Sequence, residues 1–446
     1  MKILITNTVA LNGGDAAILL AIIELLRREF GEDTEFVIYD SQPEIAGRYY
    51  PDLTFRKLLH LKLTELPQMK YLGQTLLGRI LRYALKQVLC RYSRVKQFQF
   101  YIAAWCQRHQ LRLITKLLLK NDEFQDLKHY SCADLIVSTG GTYLVEKYSL
   151  DSRIFDFKLS LLMQKPLVLY TQSLGPFNKF ANQKALRPIF NQASLVLLRD
   201  QASLQHLQDL GVNGSNTYVS ADVVFALQNR GALSENYHEQ TRTSRLKVII
   251  SVRYWRLFSN VSSEVGMQKY QKALCALTQF LVEEHQAEIT YLSTCQGITE
   301  YWTDDSRFAT EVFNLLPDSI QKYVCVNREF HTPQVLLDLL SACDIVIATR
   351  MHMCILSLVA GTPVLPIAYE FKTKELFKRL GMGEWVQDIE TIDEHSLVAS
   401  AQKFLSALPE IKQRLPLEVR KEQERALNSG KLVKKTFEEW QKSKVK

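Results

Sequence analysis

The chain has 446 residues, of which 47% are hydrophobic and 23% are charged, and its formal net charge is +8. These proportions are typical of a folded protein of two or three domains and exclude a largely disordered chain. Its 18 Gly and 12 Pro are too few for a collagen-like or low-complexity sequence. The N-terminus turns polar after Ile5 and no run of 18 apolar residues occurs, so we predict neither a secretory signal nor a membrane-spanning helix.

The eight cysteines are scattered along the chain, and none belongs to a CxxC pair. Several lie within apolar runs, where a thiol behaves as a small buried hydrophobic group. The spacing indicates neither a zinc site nor a disulfide framework, so we expect no metal and a reducing, cytoplasmic location.

Positive charge is concentrated in residues 53–120, which contain 14 Lys and Arg against one acidic residue, a net charge of +13. Arg79, Arg82 and Lys86 follow one another at helical spacing among apolar and aromatic residues. We interpret residues 53–128 as a helical basic insertion. A solvated helical face and an anionic membrane surface both fit this pattern. Nucleic-acid binding is not expected, because no recognised binding motif accompanies the charge.

The rest of the chain alternates between short apolar runs and amphipathic helical patterns, which is typical of parallel sheets covered on both faces. In chain order, we predict a strand at residues 2–7, a helix at 16–30, and strands at 35–39, 134–138, 167–171 and 195–199. After a polar stretch at 228–245, we predict strands at 246–252, 288–293, 323–326, 345–348 and 364–367.

The predicted fold class is α/β, with two doubly wound Rossmann-like domains that face each other across a cleft. The first domain covers residues 1–230 and contains the insertion, and a linker follows at 231–245. The second domain covers 246–396, and a helical tail covers 397–446. Ligands of such sheets bind beyond the carboxyl ends of the strands, so the loops at those ends are the candidate sites.

The loop before the first helix reads Asn-Gly-Gly-Asp at residues 12–15. It is neither the GxGxxG fingerprint of dinucleotide-binding proteins nor a P-loop, which would need a lysine. Asp15 is suited to cap the helix. Alternatively, Asn12 or Asp15 contacts a sugar hydroxyl.

Three further strands of the first domain end in residues that suit a substrate-facing turn. Glycines let a ligand approach the backbone closely, and short polar side chains there would lie at the cleft. The residues concerned are Gly140 and Gly141 after the strand at 134–138, and Gln172 and Ser173 after the strand at 167–171. Arg199 and Asp200 follow the next strand, as a structural salt bridge or as a cleft contact.

The second domain places cations at its strand ends. An arginine at the end of a buried strand is costly unless it is paired, so we expect Arg253 to face the cleft. Arg350 and His352 begin an apolar helix, whose N-terminus attracts phosphate, and Arg350 would add a bidentate clamp. A histidine beside a phosphate is a candidate proton donor, although His352 could instead bond to backbone. Lys372 and Lys374 either face an anion or are solvated.

Together these pieces resemble the polysaccharide pyruvyl transferase family, whose members put pyruvate ketals on bacterial exopolysaccharides and cell-wall polymers. The matching pieces span about residues 3–375 in the family's order. The most specific feature is the Arg-x-His before an apolar helix and Gly-Thr-Pro. The matching segments are residues 12–18, 139–141, 172–177, 199–204, 221–222, 251–253, 349–352 and 369–372.

The resemblance implies an architecture like that of GT-B glycosyltransferases and phosphoenolpyruvate as the donor. Arg350 and His352 match the family's Arg-x-His, which is associated with the donor site and with acid catalysis, and Arg253 matches a family arginine. The chain departs from many members at Thr142, where they have a third glycine, and in its long insertion.

We therefore predict an enzyme that moves the enolpyruvyl group of phosphoenolpyruvate onto two sugar hydroxyls, without a further cofactor. His352 is the predicted general acid, and Arg253, Arg350 and Lys372 are predicted to bind the donor. The predicted acceptor contacts are Asn12, Asp15, Gly140, Gly141, Gln172 and Ser173.

We expect a sugar as the acceptor, and a lipid-linked one would explain a basic insertion that holds the enzyme at the inner face of a membrane. Two alternatives remain open. One is a GT-B-type glycosyltransferase that uses a nucleotide sugar, and the other is a non-catalytic binding protein of a polysaccharide-assembly complex.

Overall fold

The computed structural model describes residues 1–64, 76–228 and 245–445, with the side chains of 64–91 and 445 left out. The predicted linker therefore lies outside the described residues, except for its last position. The side chains of Arg79, Arg82 and Lys86 lie outside them as well.

A parallel sheet forms the centre of the first domain, with the strands β1 (Lys2–Thr8), β2 (Glu35–Asp40), β3 (Phe55–Lys57), β4 (Leu135–Ser138), β5 (Gly141–Leu144), β6 (Leu167–Leu174), β7 (Leu195–Leu198) and β8 (Thr217–Val219). Their order is β3-β2-β1-β4-β6-β7-β8, and β5 pairs with the end of β6. Successive strands are added on one side of β1 up to β3 and on its other side from β4 onward. The switch point, where ligands bind in such sheets, therefore lies between β1 and β4.

Helices cover both faces of this sheet: α1 (Gly13–Phe30), α2 (Pro43–Tyr49), α3 (Leu59–Thr64), α4 (Leu76–Arg108), α5 (Arg112–Leu118), α6 (Asn121–Cys132), α7 (Asp151–Leu162), α8 (Phe180–Gln192) and α9 (Gln201–Asp209). A 3₁₀ turn, Val223–Ala226, follows β8. The predicted helical insertion consists mainly of α3 to α6, but it also contains β3, which extends the edge of the sheet beside β2.

The second domain repeats this architecture with the strands β9 (Lys247–Ser251), β10 (Glu288–Tyr291), β11 (Val324–Val326), β12 (Ile345–Ala348), β13 (Val364–Ala368) and β14 (Gln387–Asp388), in the order β11-β10-β9-β12-β13-β14. Its helices are α10 (Ser263–His285), α11 (Asp305–Phe313), α12 (Asp318–Gln321), α13 (Pro333–Ser341), α14 (Met351–Val359), α15 (Phe371–Arg379) and α16 (Glu394–Ser406), with a 3₁₀ turn at Gly383–Trp385. Here the switch point lies between β9 and β12. The predicted fold class is confirmed, with two doubly wound sheets.

The last helix, α17 (Leu408–Val445), returns from the second domain onto the first. The Ser429 and Tyr170 hydroxyls lie 2.8 Å apart, and the rings of Phe437 and Phe30 pack edge to face at 5.6 Å. The helix therefore buries part of its length against the first sheet and ties the two domains together. The last strand of the first sheet ends at Val219, and the first strand of the second sheet begins at Lys247. The exact domain limits that we predicted stay predictions.

Candidate functional site

A cavity of about 630 Å³ lies between the two domains, at the carboxyl ends of both sheets. Side chains of both signs line it, but within the described part of the chain the cations outnumber the acids. The cationic or titratable basic side chains are Arg153, Arg199, Arg253, Arg350, His352 and Lys372, and the acidic ones are Asp15, Glu300 and Glu370.

His352 lies in the first turn of α14, at the end of the second-domain strand β12. Its Nε2 atom is 3.6 Å from Oδ2 of Asp222, which belongs to the first domain. Burial opposes the ionisation of Asp222, but the Arg199 guanidinium and the contact with His352 hold the pKa of its carboxyl well below its usual range. Asp222 is therefore a carboxylate in the folded protein, with its charge beside the His352 ring.

The N-terminus of α1 lies directly against His352. Asn12 caps this helix, because its Oδ1 atom accepts a hydrogen bond from the Gly14 amide at 3.0 Å. The absence of a side chain at Gly14 makes room for the imidazole, since a Cβ there would lie 2.3 Å from its Nδ1. The Gly13 amide donates to the Thr294 carbonyl at 2.9 Å, so the same turn also contacts the second domain.

Asp15 is not the cap that its position suggested, because Asn12 holds that role. Its carboxylate lines the cavity instead. Burial raises the pKa of Asp15, and the nearby charges of His352, Lys372, Arg199 and Arg350 partly offset this. A carboxyl with a raised pKa among cations can exchange a proton with a ligand.

Arg350 is fixed by a bidentate ion pair with Asp305 of the same domain. Its Nε and Nη2 atoms each donate to a carboxylate oxygen at 2.8 Å. Burial opposes the charge, yet the ion pair raises the pKa of Arg350 above its ordinary value. We expected Arg350 to clamp a ligand with two bonds, but Asp305 occupies that edge of the guanidinium. Within the described residues Nη1 has no hydrogen-bond partner and remains for a ligand.

Arg253, in the loop after β9, and Lys372, in the first turn of α15, line the cavity from the second domain. The Arg253 guanidinium stacks 4.1 Å above the Tyr369 ring centroid, and it has no ion-pair partner in the part of the chain that the structure describes. The Lys372 ammonium lies 2.9 Å from a Glu370 oxygen and donates to the Thr142 hydroxyl at 3.3 Å. Lys374 pairs with Asp388 outside the cavity, which answers the question left open for that residue.

Of the first-domain residues predicted to face the acceptor, Gly140 and Gly141 line the cavity. Two polar residues, Gln172 and Ser173, lie behind the cavity wall instead. Gln172 is fully buried in β6, where its amide donates to the Tyr143 hydroxyl at 2.8 Å. Ser173 is also buried, and its hydroxyl accepts from Nε of Arg199 at 2.8 Å. In this structure both therefore support lining residues and do not face the cavity.

Of the two alternatives for Arg199 and Asp200, a mutual salt bridge or a cleft contact, the structure shows the cleft contact for Arg199. It pairs with Asp222 and donates to the Thr142 hydroxyl at 2.7 Å, while Asp200 caps α9 through the Ser203 amide at 2.7 Å. Thr142 thus accepts hydrogen bonds from Arg199 in the first domain and from the second-domain lysine. Arg199 lines the cavity and is a site residue that we left undecided from the sequence.

Arg153 is a lining residue that the sequence did not single out. It lies in the first turn of α7, donates to the Asn7 side chain and stacks 4.8 Å from the Tyr143 ring centroid. Burial lowers the pKa of Arg153. An arginine within a helix of mixed apolar and charged residues has no distinguishing sequence pattern, and Arg153 does not follow a strand. Asn7 could have drawn attention as the polar end of β1.

No group of three or more His, Cys, Asp or Glu side chains is placed to hold a metal ion within the described ranges. Among the helices that the structure describes, none combines the length and the apolar character needed to cross a membrane.

Residues 12–370 match the model of the family "Polysaccharide pyruvyl transferase". The chain belongs to this family. The match confirms the resemblance noted from the sequence, and it makes the protein an enzyme of the pyruvyl transferase class. Nearly all residues that line the cavity lie in the matched region, and Asn7, Val9 and Lys372 lie just outside it.

Among curated proteins, the chain is similar to the amylovoran biosynthesis protein AmsJ of Erwinia amylovora. The two are 27% identical over 436 residues, which cover 96% of this chain and 97% of AmsJ. Similarity therefore extends over nearly the full length of both chains, beyond the region matched by the family model.

Two solved structures show the same fold. HepE of Anabaena, crystallised in complex with UDP, is 13% identical with a TM-score of 0.54, covering 98% of this chain and all of HepE. The UDP-GlcNAc 2-epimerase of Neisseria meningitidis, bound to UDP-GlcNAc, is 12% identical with a TM-score of 0.56 at the same coverage. At this identity the likeness shows the GT-B-like fold alone.

Proposed function

We propose that this pyruvyl transferase takes phosphoenolpyruvate as its donor and forms a pyruvate ketal on two hydroxyls of a sugar, in the biosynthesis of an exopolysaccharide. The observation that carries the proposal is a histidine paired with a buried carboxylate in a cavity lined by Arg and Lys side chains. The name of the similar AmsJ, a protein of amylovoran biosynthesis, supports the polymer context.

The donor carries a phosphate and a carboxylate, so its site needs cations that are fixed before binding. Arg253 has no ion-pair partner in the described residues, Lys372 borders the same wall, and Arg350 keeps one free guanidinium nitrogen. The N-terminus of α14 adds free amide groups and partial positive charge. Preorganised charges of this kind stabilise developing charge without reorganisation at the moment of reaction.

The reaction begins with a proton from His352 to the methylene carbon of the donor, which leaves an oxocarbenium-like centre. A sugar hydroxyl attacks that centre and loses its proton, phosphate leaves, and a second hydroxyl closes the ketal ring with loss of another proton. The Asp222 carboxylate lies 3.6 Å from Nε2 of His352, so a negative charge stands beside the ring that gives up the proton. General acid catalysis of this kind contributes about 10²–10⁴-fold in rate.

The test is phosphate release from phosphoenolpyruvate in the presence of galactosides, glucosides and mannosides. We expect acceptor-dependent release by the wild type and its loss in His352→Ala. His331→Ala is the matched control, because His331 lies in the same domain outside the cavity and bonds to Asn327 at 3.0 Å.

Two results would contradict the proposal. Undiminished release by His352→Ala would remove the histidine from catalysis. Sugar transfer from a nucleotide sugar, with no release from phosphoenolpyruvate under any acceptor, would identify the protein as a GT-B glycosyltransferase instead.

A further inference from the structure

Large apolar side chains are exposed on α4 and α5, within the insertion. Nine of the 22 large hydrophobic side chains that are exposed in the described residues lie between positions 92 and 117. Exposed apolar groups at this density mark an interaction site. We call this set the α4–α5 surface, and its members are Tyr92, Val95, Phe98, Ile102, Trp105, Leu111, Leu113, Ile114 and Leu117.

The α4 members repeat every three or four residues, so they share one side of the helix. In the described part of α4, other residues supply the buried contacts with the rest of the first domain. On α5, Leu113 and Leu117 are one turn apart and are 79% and 87% exposed. Among the α4 residues whose side chains are described, the buried ones are Phe100, Ala103, Ala104 and Cys106.

The surroundings of the α4–α5 surface are basic. Residues 92–120 contain six Lys and Arg and no acidic residue. Lys96 pairs with Glu123. The other five, Arg94, Arg108, Arg112, Lys116 and Lys120, are exposed and have no ion-pair partner within the described residues. Apolar side chains surrounded by cations are typical of helices that lie in a membrane interface.

We propose that the α4–α5 surface docks on an anionic phospholipid bilayer. Its apolar side chains enter the boundary between headgroups and acyl chains, and the surrounding cations pair with lipid phosphates. A second copy of the chain is a poorer occupant. In a two-fold dimer the same patch meets itself, and this patch would oppose cations with cations and offer no carboxylate.

The docked surface connects directly to the cavity. Phe155 of α7 packs against Phe100 and Tyr101 of α4, with ring centroids 6.3 Å and 5.4 Å apart. Two residues earlier in α7, Arg153 lines the cavity. A bilayer under α4 would therefore hold the first-domain wall of the cavity near the lipid surface. Given the proposed function, this favours an acceptor sugar carried on a membrane lipid.

The test is flotation of the full chain with vesicles of phosphatidylcholine, alone or mixed with phosphatidylglycerol. We expect binding to the anionic vesicles that weakens with added salt. Phe98→Ser with Leu117→Ser should weaken it at least about tenfold, because apolar burial drives interfacial binding. Arg108→Gln with Arg112→Gln should weaken it about 30-fold, at about 1 kcal/mol per cation. Leu315→Ser with Leu417→Ser is the control, because these two leucines lie outside the α4–α5 surface and are each 59% exposed.

The proposal is overturned if the wild type does not bind anionic vesicles, or if both α4–α5 variants bind as the control does. A wild-type dimer in light scattering that Phe98→Ser dissociates would assign the surface to a second copy. None of the substituted residues lines the cavity, so phosphate release with a soluble acceptor should stay at the wild-type rate. Vesicle binding needs neither donor nor acceptor, so its failure is distinguishable from failure of the proposed reaction.

Discussion

Replacing Gly14 with alanine tests the position of His352 directly. Gly14 lies in the first turn of α1, and a Cβ on it would be 2.3 Å from Nδ1 and 2.8 Å from Cγ of the imidazole. Because ordinary contacts begin near 3.4 Å, the ring must shift by about 1 Å to relieve the overlap. That shift would also change the distance between Nε2 and the Asp222 carboxylate.

Gly14→Ala should lower kcat and leave the stability of the fold nearly unchanged. Alanine is about 1 kcal/mol more favourable than glycine within a helix, which offsets part of the clash. The φ angle of Gly14 lies outside the left-handed region, so alanine fits its backbone. A displacement of about 1 Å in a catalytic group costs about 100-fold in rate, so we expect kcat to fall about 100-fold.

Phosphate release at saturating donor and acceptor measures kcat, and thermal unfolding measures stability. Gly47→Ala in α2 is the matched control, because no heavy atom lies within 4 Å of a Cβ at that position. It should keep the wild-type rate. A wild-type kcat in Gly14→Ala, with an unchanged melting temperature, would refute the placement of His352 against α1.

Three further substitutions separate the roles of the lining residues. Asp222→Asn removes the carboxylate beside the His352 ring, so kcat should fall at least about tenfold; an unchanged kcat would contradict this role. Burial raises the pKa of Asp15, so its ionisation in the folded state costs stability once the pH exceeds the ordinary carboxyl pKa. Asp15→Asn should therefore raise the melting temperature more at neutral than at acidic pH, and an equal shift at both would oppose the assignment. Trp302 is 84% exposed at the cavity edge and could stack on a sugar ring. Trp302→Ala should raise the acceptor KM about fivefold with little change in kcat, and an unchanged KM would exclude that contact.

Each strand that the sequence predicted contains at least one buried apolar residue. The predicted strand at 345–348 coincides with β12, because each of its four residues is apolar and buried. Of the missed strands, β3, β8 and β14 lie at sheet edges and have no buried residue. The other missed strand, β5, is four residues long and pairs with the end of β6. Such strands are ordered by pairing with a neighbour and not by an apolar pattern of their own.

In the site, too, the features set by local sequence were predictable and those set by tertiary packing were not. Strand ends could be located from the sequence, so Arg253, Arg350 and His352 were placed correctly on the cavity wall. Their partners could not be predicted, because Asp305 is 45 residues from Arg350 and Asp222 comes from the other domain. Which carboxylate meets which cation depends on how α11 and the turn after β8 pack, and no local pattern encodes that.

The pairing of the cations explains how the site can remain folded before the donor arrives. Buried cations repel one another and are costly to desolvate, and a carboxylate beside each reduces that cost. Arg199 has Asp222, Arg350 has Asp305 and Lys372 has Glu370. Arg253 instead stacks on Tyr369, which keeps its charge available while shielding one face from water. These contacts hold the cationic side chains in place without fully neutralising their charge. A trianionic donor therefore meets preorganised positive charge, and few side chains need to move when it binds.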